Sequence, residues 1–155
     1  MKVIHKIPDS SGTFPERAFI HRELSLLTFF ERVLTSAKDK NTPLLERLRF
    51  LTICSAILDE FFEIRVGGLK ERYRLGIDRV GPDGLSTAEV LGQIRQRVLK
   101  LVKSQYRTLN RDVLPALAQE GIRLLKRSEW RTEHKDWARD YFQDQVAPVL
   151  SPIAL

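Results

Sequence analysis

Residues 44–64 constrain the fold more than any other part of the sequence. The apolar residues of this segment cover more than one face of a helix, and they are Leu44, Leu45, Leu48, Leu51, Ile53, Cys54, Ile57, Leu58, Phe61, Phe62 and Ile64. A helix with so wide an apolar surface is buried on several sides. The segment therefore predicts a central helix with Pro43 at its first position and an end near Tyr73 or Leu75. A break near Ser55 is the alternative, because a serine side chain can recap a helix.

A shorter amphipathic helix is predicted ahead of the central one. Ser25 can cap it through its hydroxyl group, so we expect the helix to begin near Leu26 and to end near Ala37. Its apolar stripe recurs at spacings of three and four and consists of Phe29, Phe30, Val33 and Leu34. This stripe is the face that we expect to be buried.

A long helix is predicted after the glycine-containing residues 76–86. Ser86 and Glu89 have the spacing of a capping box, in which each side chain accepts a hydrogen bond from the other residue's backbone amide. Apolar residues then recur every three or four positions as far as Leu117. Pro115 is expected to kink or interrupt the helix near its end, because proline has no amide hydrogen.

The residues after position 120 carry weaker signals. Gly121 is typical of a helix stop, residues 122–125 are predicted as a short strand, and residues 130–146 are predicted as another helix. The final residues, 146–155, are apolar, interrupted by proline and uncapped, which would leave an apolar surface in water. We therefore expect the native chain to continue past these residues.

Together these elements predict a mainly α-helical fold. It is a bundle of three to four helices, one of them long, followed by the incomplete start of an α+β domain. The expected organisation is a disordered leader at residues 1–19, a helical domain at 20–120 and the beginning of a second domain at 121–155. The leader lacks the unbroken apolar core of a secretory signal.

Composition narrows the class of protein. The chain carries 26 Lys and Arg against 20 Asp and Glu, a formal charge of +6, which attracts anionic partners. Acidic residues are interspersed along most of the chain, so it lacks the polybasic tail typical of nucleic-acid binding. No apolar run approaches the roughly 20 residues that span a bilayer. Cys54 is the single cysteine, so no internal disulfide forms and the cytoplasm is the expected compartment.

Side chains suited to catalysis are few and isolated. His5, His21 and His134 lack both metal-ligand spacing and a companion base, so they are interpreted as surface histidines. Asp59 and Glu60 are neighbours in a helix, where they point about 100° apart and do not share one substrate. The sequence therefore predicts no catalytic residue and no metal site in this chain.

Two further features of the central helix have structural interpretations. Gly67 and Gly68 lack the lysine ending and the preceding strand of a P-loop, so we expect them to mark the close approach of another helix. Cys54 lies inside the apolar stripe and is expected to be a buried, unreactive thiol.

Basic residues of the central helix are the best candidates for contacts with phosphate, because guanidinium groups grip phosphate oxygens in a fork. These candidates are Arg47, Arg49, Lys70 and Arg72. A solvated helix face is the alternative interpretation of the same charges.

Three blocks of the sequence resemble, in order and spacing, the start of the long polyphosphate kinase family. They are residues 22–34 (RELSLLTFFERVL), 43–51 (PLLERLRFL) and 58–70 (LDEFFEIRVGGLK). Residues 114–122 and 146–150 resemble the passage of that family into its second domain. The resemblance covers nearly all of the chain beyond the predicted leader.

This resemblance implies a multidomain homodimer that transfers the terminal phosphate of ATP to polyphosphate through a phosphorylated histidine, with Mg²⁺ and basic side chains holding the negative charge. In the family that histidine lies far downstream of the matching segment. The chain alone is therefore expected to transfer no phosphate. Its helical domain would form the wall of the nucleotide tunnel on the adenine side and support dimer assembly.

One position departs from the family pattern at the implied nucleotide contact. The adenine-side asparagine of the family, in Ser-Asn-Leu-Asp-Glu, falls on Ile57. An isoleucine packs on a purine face but forms no hydrogen bond, so it discriminates poorly between bases. Either the nucleotide is gripped elsewhere, or the protein has lost or changed the activity. A module that binds nucleotide, polyphosphate or nucleic acid without catalysis, and a domain used only for assembly, are the competing functions.

Overall fold

The computed structural model describes residues 19–77 and 80–151. His5 and the predicted leader, except for Phe19, lie outside these residues. Within them the chain forms α1 (Arg22–Lys38), α2 (Leu44–Glu60), α3 (Gly67–Arg74), α4 (Thr87–Thr108), α5 (Leu114–Gln119) and α6 (Thr132–Tyr141). Short π-helical segments follow α2, α4 and α6 at Phe61–Val66, Leu109–Val113 and Phe142–Val146, and 3-10 turns lie at Arg127–Glu129 and Ala147–Val149. The described residues contain no strand, which confirms the mainly α-helical prediction.

The chain divides into two compact units, Met1–Ala116 and Leu117–Leu155. In the first unit α1 packs against α2 and α4, and α3 packs against α4. The side chains buried between these helices are mostly apolar, and the least exposed are Leu27, Leu34, Cys54, Phe61, Val90, Ile94 and Val113. The predicted helical bundle is therefore present, whereas the predicted domain boundary near residue 120 stays a prediction.

A one-residue register shift follows α2. Buried side chains recur every three or four residues along α2 as far as Phe61, and the next one, Val66, is five residues further on. The π-helical segment Phe61–Val66 accommodates the extra residue. In an uninterrupted α-helix Arg65, four residues after Phe61, would lie on the same buried face as Phe61. The π-helical segment instead keeps Val66 in the core and leaves Arg65 exposed.

Two predicted helix starts are wrong by one or more residues. The N-terminal cap of α1 is His21, whose Nδ1 accepts a hydrogen bond of 3.2 Å from the amide of Glu23. The His21 imidazole thus accepts the capping bond that was expected of the Ser25 hydroxyl, and Ser25 lies inside the helix. The second helix begins at Leu44, and Pro43 takes the cap position with a ψ of 143°.

The central helical path runs without a break from α2 through α3, so the alternative break near Ser55 is wrong. Ser55 serves a different purpose, since its Oγ accepts a hydrogen bond of 2.7 Å from Nε2 of Gln105 on α4. The same Nε2 donates to the carbonyl of Leu51 at 3.1 Å. The serine hydroxyl thus helps to tie two helices together instead of capping one.

Gly67 and Gly68 do not mark a close helix contact, so this prediction is wrong. A Cβ atom at Gly68 would have nothing within 4 Å, and one at Gly67 would lie 3.6 Å from the carbonyl oxygen of Phe62, an ordinary contact. Gly68 is exposed because it lies on the outer side of the continuous helical path.

Both signals predicted for the long helix are present. Ser86 Oγ accepts a bond of 3.3 Å from the amide of Glu89, and Glu89 Oε2 accepts one of 2.8 Å from the amide of Ser86. The interruption expected near Pro115 is the π-helical segment Leu109–Val113, which directly precedes α5. A proline ring crowds the carbonyl one turn earlier and offers it no hydrogen, so a wider turn is favoured there.

The residues after α5 confirm one prediction and contradict another. Gly121 has a φ of +81°, and the amide of Ile122 bonds the carbonyl of Leu117 at 2.8 Å, so the predicted helix stop is present. The strand predicted at 122–125 is wrong, because the described part of the chain has no neighbouring strand to pair with it. The helix predicted at 130–146 is formed by α6 and the π-helical segment after it.

Arg97 ties α4 to α1. Its guanidinium donates to the carbonyl of Leu24 at 2.7 Å, to Thr28 Oγ1 at 2.9 Å and to the Glu31 carboxylate at 2.8 and 3.2 Å. The Arg97 side chain is 30% exposed, so water competes only partly for these bonds. Because Arg97 and Glu31 are partly exposed, the four bonds together are expected to contribute about as much as one shielded hydrogen bond from a charged donor, about 1.5–3 kcal/mol.

Replacing Arg97 by methionine should lower the free energy of unfolding by about 1–3 kcal/mol, because acceptors on α1 lose their donor. Urea denaturation followed by circular dichroism measures the change. Arg95→Met is the matched control, since the Arg95 side chain is exposed on the same helix and forms no hydrogen bond with the described residues. We expect the control to stay within about 0.5 kcal/mol of the wild type. Equal losses in the two variants would contradict the assignment.

Alanine at Gly76 and at Gly92 should change stability in opposite directions. Gly76 ends α3 with a φ of +69°, a left-handed conformation that costs an L-residue about 1–2 kcal/mol. Gly92 lies within α4, and a Cβ atom there meets open space, so alanine should stabilise the helix by about 0.5–1 kcal/mol. The thermal midpoints of the two variants test this, and a shift of the same sign in both would refute it.

Candidate functional site

A concavity of about 290 Å³ lies beside Ile57. Its walls come from α1, α2 and the π-helical segment that follows α2, and its lining consists of Leu26, Phe29, Phe30, Ile57, Glu60, Phe61, Ile64 and Arg65. The buried rings of Phe30 and Phe61 meet edge to face with centroids 5.6 Å apart, which fixes α1 against the π-helical segment. The concavity is therefore an apolar surface that carries one carboxylate and one guanidinium group.

A second concavity, of about 300 Å³, adjoins the first and shares Leu26, Phe29 and Arg65 with it. Its other lining residues are Arg22, Glu23, Ser25 and Arg32. Arg22, Arg32 and Arg65 are called the arginine rim below. Three guanidinium groups therefore face one cavity that contains a single carboxylate.

The Glu23 carboxylate is buried beside the arginine rim, with 5% of its side chain exposed. Arg22 grips it with two donors, Nε to Oε2 at 3.0 Å and Nη2 to Oε1 at 2.9 Å. These hydrogen bonds are the largest cause of a lowered pKa of Glu23. Burial opposes the shift, and the positive charges of Arg22 and Arg65 add to it. Glu23 is thus held in its ionised form.

The other two arginines of the rim are less engaged. The Cζ atom of Arg32 lies 5.8 Å from the centre of the Phe29 ring, a cation–π contact that holds the guanidinium at the cavity. The Arg65 guanidinium forms no hydrogen bond or salt bridge with any residue that the structure describes, although its charge acts on Glu23. Both groups therefore retain N–H donors for a ligand.

The four basic residues predicted to face phosphate do not lie together. Arg47 is buried, and its Nε donates to the Ala37 carbonyl at 2.9 Å, a contact between α1 and α2. Arg49 is exposed and lies 3.6 Å from Glu46 on its own helix. Lys70 lines a groove of about 440 Å³ between α3 and α4, whereas Arg72 lines a different cavity. Their contact with phosphate stays a prediction.

The histidines and the cysteine have structural surroundings. Nε2 of His21 lies 4.0 Å from Asp83, and Nδ1 of His134 accepts a bond of 3.1 Å from the amide of Arg131. The predicted burial of Cys54 is confirmed, and that burial raises the pKa of its thiol. Across the described residues, no group of three or more His, Cys, Asp or Glu side chains could hold a metal ion.

The arginine rim was not predicted from the sequence, although one signal for it was available. The spacing of five between Phe61 and Val66 interrupts an otherwise regular buried stripe, and such an interruption predicts a residue turned out of the core. Arg65 is that residue. Arg22 and Arg32 are ten positions apart on α1, and nothing in their spacing connects them to Arg65 before the helices pack.

The fold and the two concavities define a helical domain with an apolar, arginine-rimmed concave surface. The family description "Polyphosphate kinase N-terminal domain" matches residues 19–125. Polyphosphate kinases from Pseudomonas aeruginosa and Pseudomonas putida are 47% and 48% identical to this chain over 137 residues, or 88% of it. The chain belongs to the polyphosphate kinase family.

The comparisons also define how much of a family member this chain represents. It spans about a fifth of the length of these relatives, 20% and 19% respectively. The crystal structure of polyphosphate kinase from Porphyromonas gingivalis is similar over 87% of this chain and 19% of that one, with a TM-score of 0.68 and 31% identity. No helix among the described residues has the length and apolar character needed to cross a membrane.

Glu23→Gln should remove a pH-dependent part of the stability. Because the folded-state pKa of Glu23 is lowered, its carboxylate stabilises the fold above the unfolded-state pKa of about 4.3 and loses this effect as the pH falls through the folded value. The stability difference between wild type and variant should therefore be largest near about pH 6 and shrink below about pH 4. Urea denaturation across this pH range measures it. The control is Glu71→Gln, because the Glu71 side chain on α3 is exposed. A similar pH dependence of the stability change in this variant would contradict the assignment to Glu23.

Proposed function

We propose that the protein containing this chain is an ATP:polyphosphate phosphotransferase, and that this chain forms the adenine-side wall of its nucleotide site. Membership of the polyphosphate kinase family supports the reaction. The observation that supports the site is the concavity at Ile57, the position of the family's asparagine. Residues of the blocks 22–34 and 58–70 line it together, although they are distant in sequence.

The lining of this concavity suits a purine base. Leu26, Phe29 and Ile57 offer apolar surface to a flat ring. Since the Ile57 side chain can form no hydrogen bond, polar recognition of the base would depend on the charged side chains of the lining, Glu60 and Arg65. A carboxylate accepts from an exocyclic amine, and a guanidinium donates to a ring nitrogen. Base selection would then differ from selection by an asparagine amide.

The proposed substrates are ATP and polyphosphate, and the proposed assembly is a homodimer in the cytoplasm that this domain supports. Mg²⁺ would accompany the phosphates of ATP and supply charge neutralisation there. The residues of this chain bind and orient; none of them is proposed to carry the phosphoryl group.

Ile57→Asn in the full-length protein should lower KM for ATP by about threefold to tenfold with little change in kcat, because it adds a hydrogen bond made in both the ground state and the transition state. Steady-state kinetics of ATP-dependent polyphosphate synthesis measure this. Ile53→Asn is the matched control, since Ile53 lies on the same helix, is 37% exposed and does not line the concavity. It should leave KM unchanged.

Two results would count against the proposal. An unchanged KM for ATP in Ile57→Asn would show that position 57 does not contact the base. Absence of ATP-dependent growth of polyphosphate with the wild-type full-length protein would contradict the reaction itself.

A further inference from the structure

We propose that the arginine rim, Arg22, Arg32 and Arg65, binds a phosphate oxyanion. The ligand is either a terminal group of polyphosphate or a phosphate of the nucleotide, since both present the same tetrahedral oxyanion. This anion subsite adjoins the base contact at Ile57 and shares Arg65 with it, whereas Arg22 and Arg32 belong to the anion subsite alone. The choice of ligand rests on the proposed function.

The charge balance of the cavity supports an anionic ligand. Three guanidinium groups line it, and the one carboxylate, Glu23, is already bound by two donors of Arg22. Neither Arg32 nor Arg65 forms a salt bridge or a side-chain hydrogen bond with a carboxylate in the part of the chain that the structure describes, and Arg65 acts on Glu23 only through its charge. Uncompensated positive charge in a concavity concentrates field lines and attracts anions.

The backbone supports the same ligand class. Arg65 reaches the cavity because the π-helical segment Phe61–Val66 turns it out of the core position that Val66 takes. A π-helical turn widens the regular hydrogen-bonding pattern, and such turns occur frequently at functional sites. Here the packing of Phe61 and Val66 accounts for the turn, and the turn in consequence places the Arg65 guanidinium at the cavity without a salt bridge. Arg65 is thereby available to an anionic ligand.

The three arginines of the rim reach the cavity from two elements, α1 and the π-helical segment. Arg22 and Arg32 lie at the two ends of the α1 segment that lines the cavity, and Arg65 lies on the π-helical segment. A tetrahedral oxyanion presents oxygens in several directions, so donors from separate elements can bind it at once. Leu26 and Phe29 supply the apolar part of the same cavity.

Arginine-specific labelling of the full-length protein tests the proposal residue by residue. Phenylglyoxal modifies accessible guanidinium groups, and mass spectrometry of peptides reports the rate at each position. Tripolyphosphate at roughly ten times its Kd should slow modification of Arg65 and Arg32 by about tenfold. Arg107 is the internal control, because it is exposed on α4 and does not line the cavity. Its rate should not change.

The variant Arg65→Gln tests whether Arg65 and Arg32 bind the same oxyanion. In Arg65→Gln, tripolyphosphate should protect Arg32 several-fold less than in the wild type, because the oxyanion loses a shared donor. Arg107→Gln removes the same charge elsewhere and should retain full protection of Arg32. Circular dichroism of both variants checks that the helices are intact.

The probes separate the possible sources of the ligand. Protection by tripolyphosphate without nucleotide assigns the subsite to polyphosphate, and protection by ATP alone assigns it to the nucleotide; both support an oxyanion site. Equal protection of Arg32 by adenosine, which has no phosphate, or no protection of Arg32 by any probe would overturn it. Arg32 does not line the concavity beside Ile57. Protection of Arg32 can therefore succeed even where Ile57→Asn leaves KM for ATP unchanged, so the two proposals fail independently.

Discussion

The packing of Phe61 and Val66 into one core is the constraint on which much of the first unit depends. These side chains are five residues apart, yet both are buried, at 2% and 3% exposure. Only a widened helical turn brings them to the same face. The edge-to-face contact of Phe61 with Phe30 then holds α1 against the π-helical segment. The same turn determines which side chains of α3 face the core, because α3 follows it directly. Arg65 is exposed as a direct consequence.

Buried polar groups connect the helices at points where apolar contacts alone would allow sliding. Arg47 bonds the carbonyl of Ala37 near the end of α1, where the helix dipole favours a positive charge. Gln105 bonds Leu51 and Ser55 across the interface of α4 with α2. No buried side-chain nitrogen or oxygen of the described residues lacks a partner. Since an unsatisfied buried donor is costly, each of these contacts also selects one relative position of its two helices.

Features that depend on local chemistry were predictable from the sequence, and features that depend on packing were not. The Ser86–Glu89 capping box and the stop at Gly121 are local, so their residues suffice to identify them. The start of α1 was missed because His21 becomes a cap only when its ring faces the helix. The strand expected at 122–125 was wrong because apolar residues define a strand only when another strand pairs with them.

The candidate site shows the same division. Ile57 was identified from the sequence and lies in a concavity, but the arginine rim required the register shift at Phe61–Val66. Apolar residues at both 61 and 62, and again at 64, hide that shift in the sequence, because they are compatible with more than one helical face. Arg47 was placed among the phosphate candidates because its burial depends on how α1 meets α2.

The complete burial of Cys54 makes the one thiol of this chain a reporter of its own opening. The side chain has 0% exposure, so an alkylating reagent reaches it only through molecules in which the bundle has transiently separated. The rate of labelling therefore measures how often α2 detaches from its neighbours. For the same reason, oxidants in the surrounding solution act on this cysteine only after the fold has opened, and the stability of the bundle sets the rate of that damage.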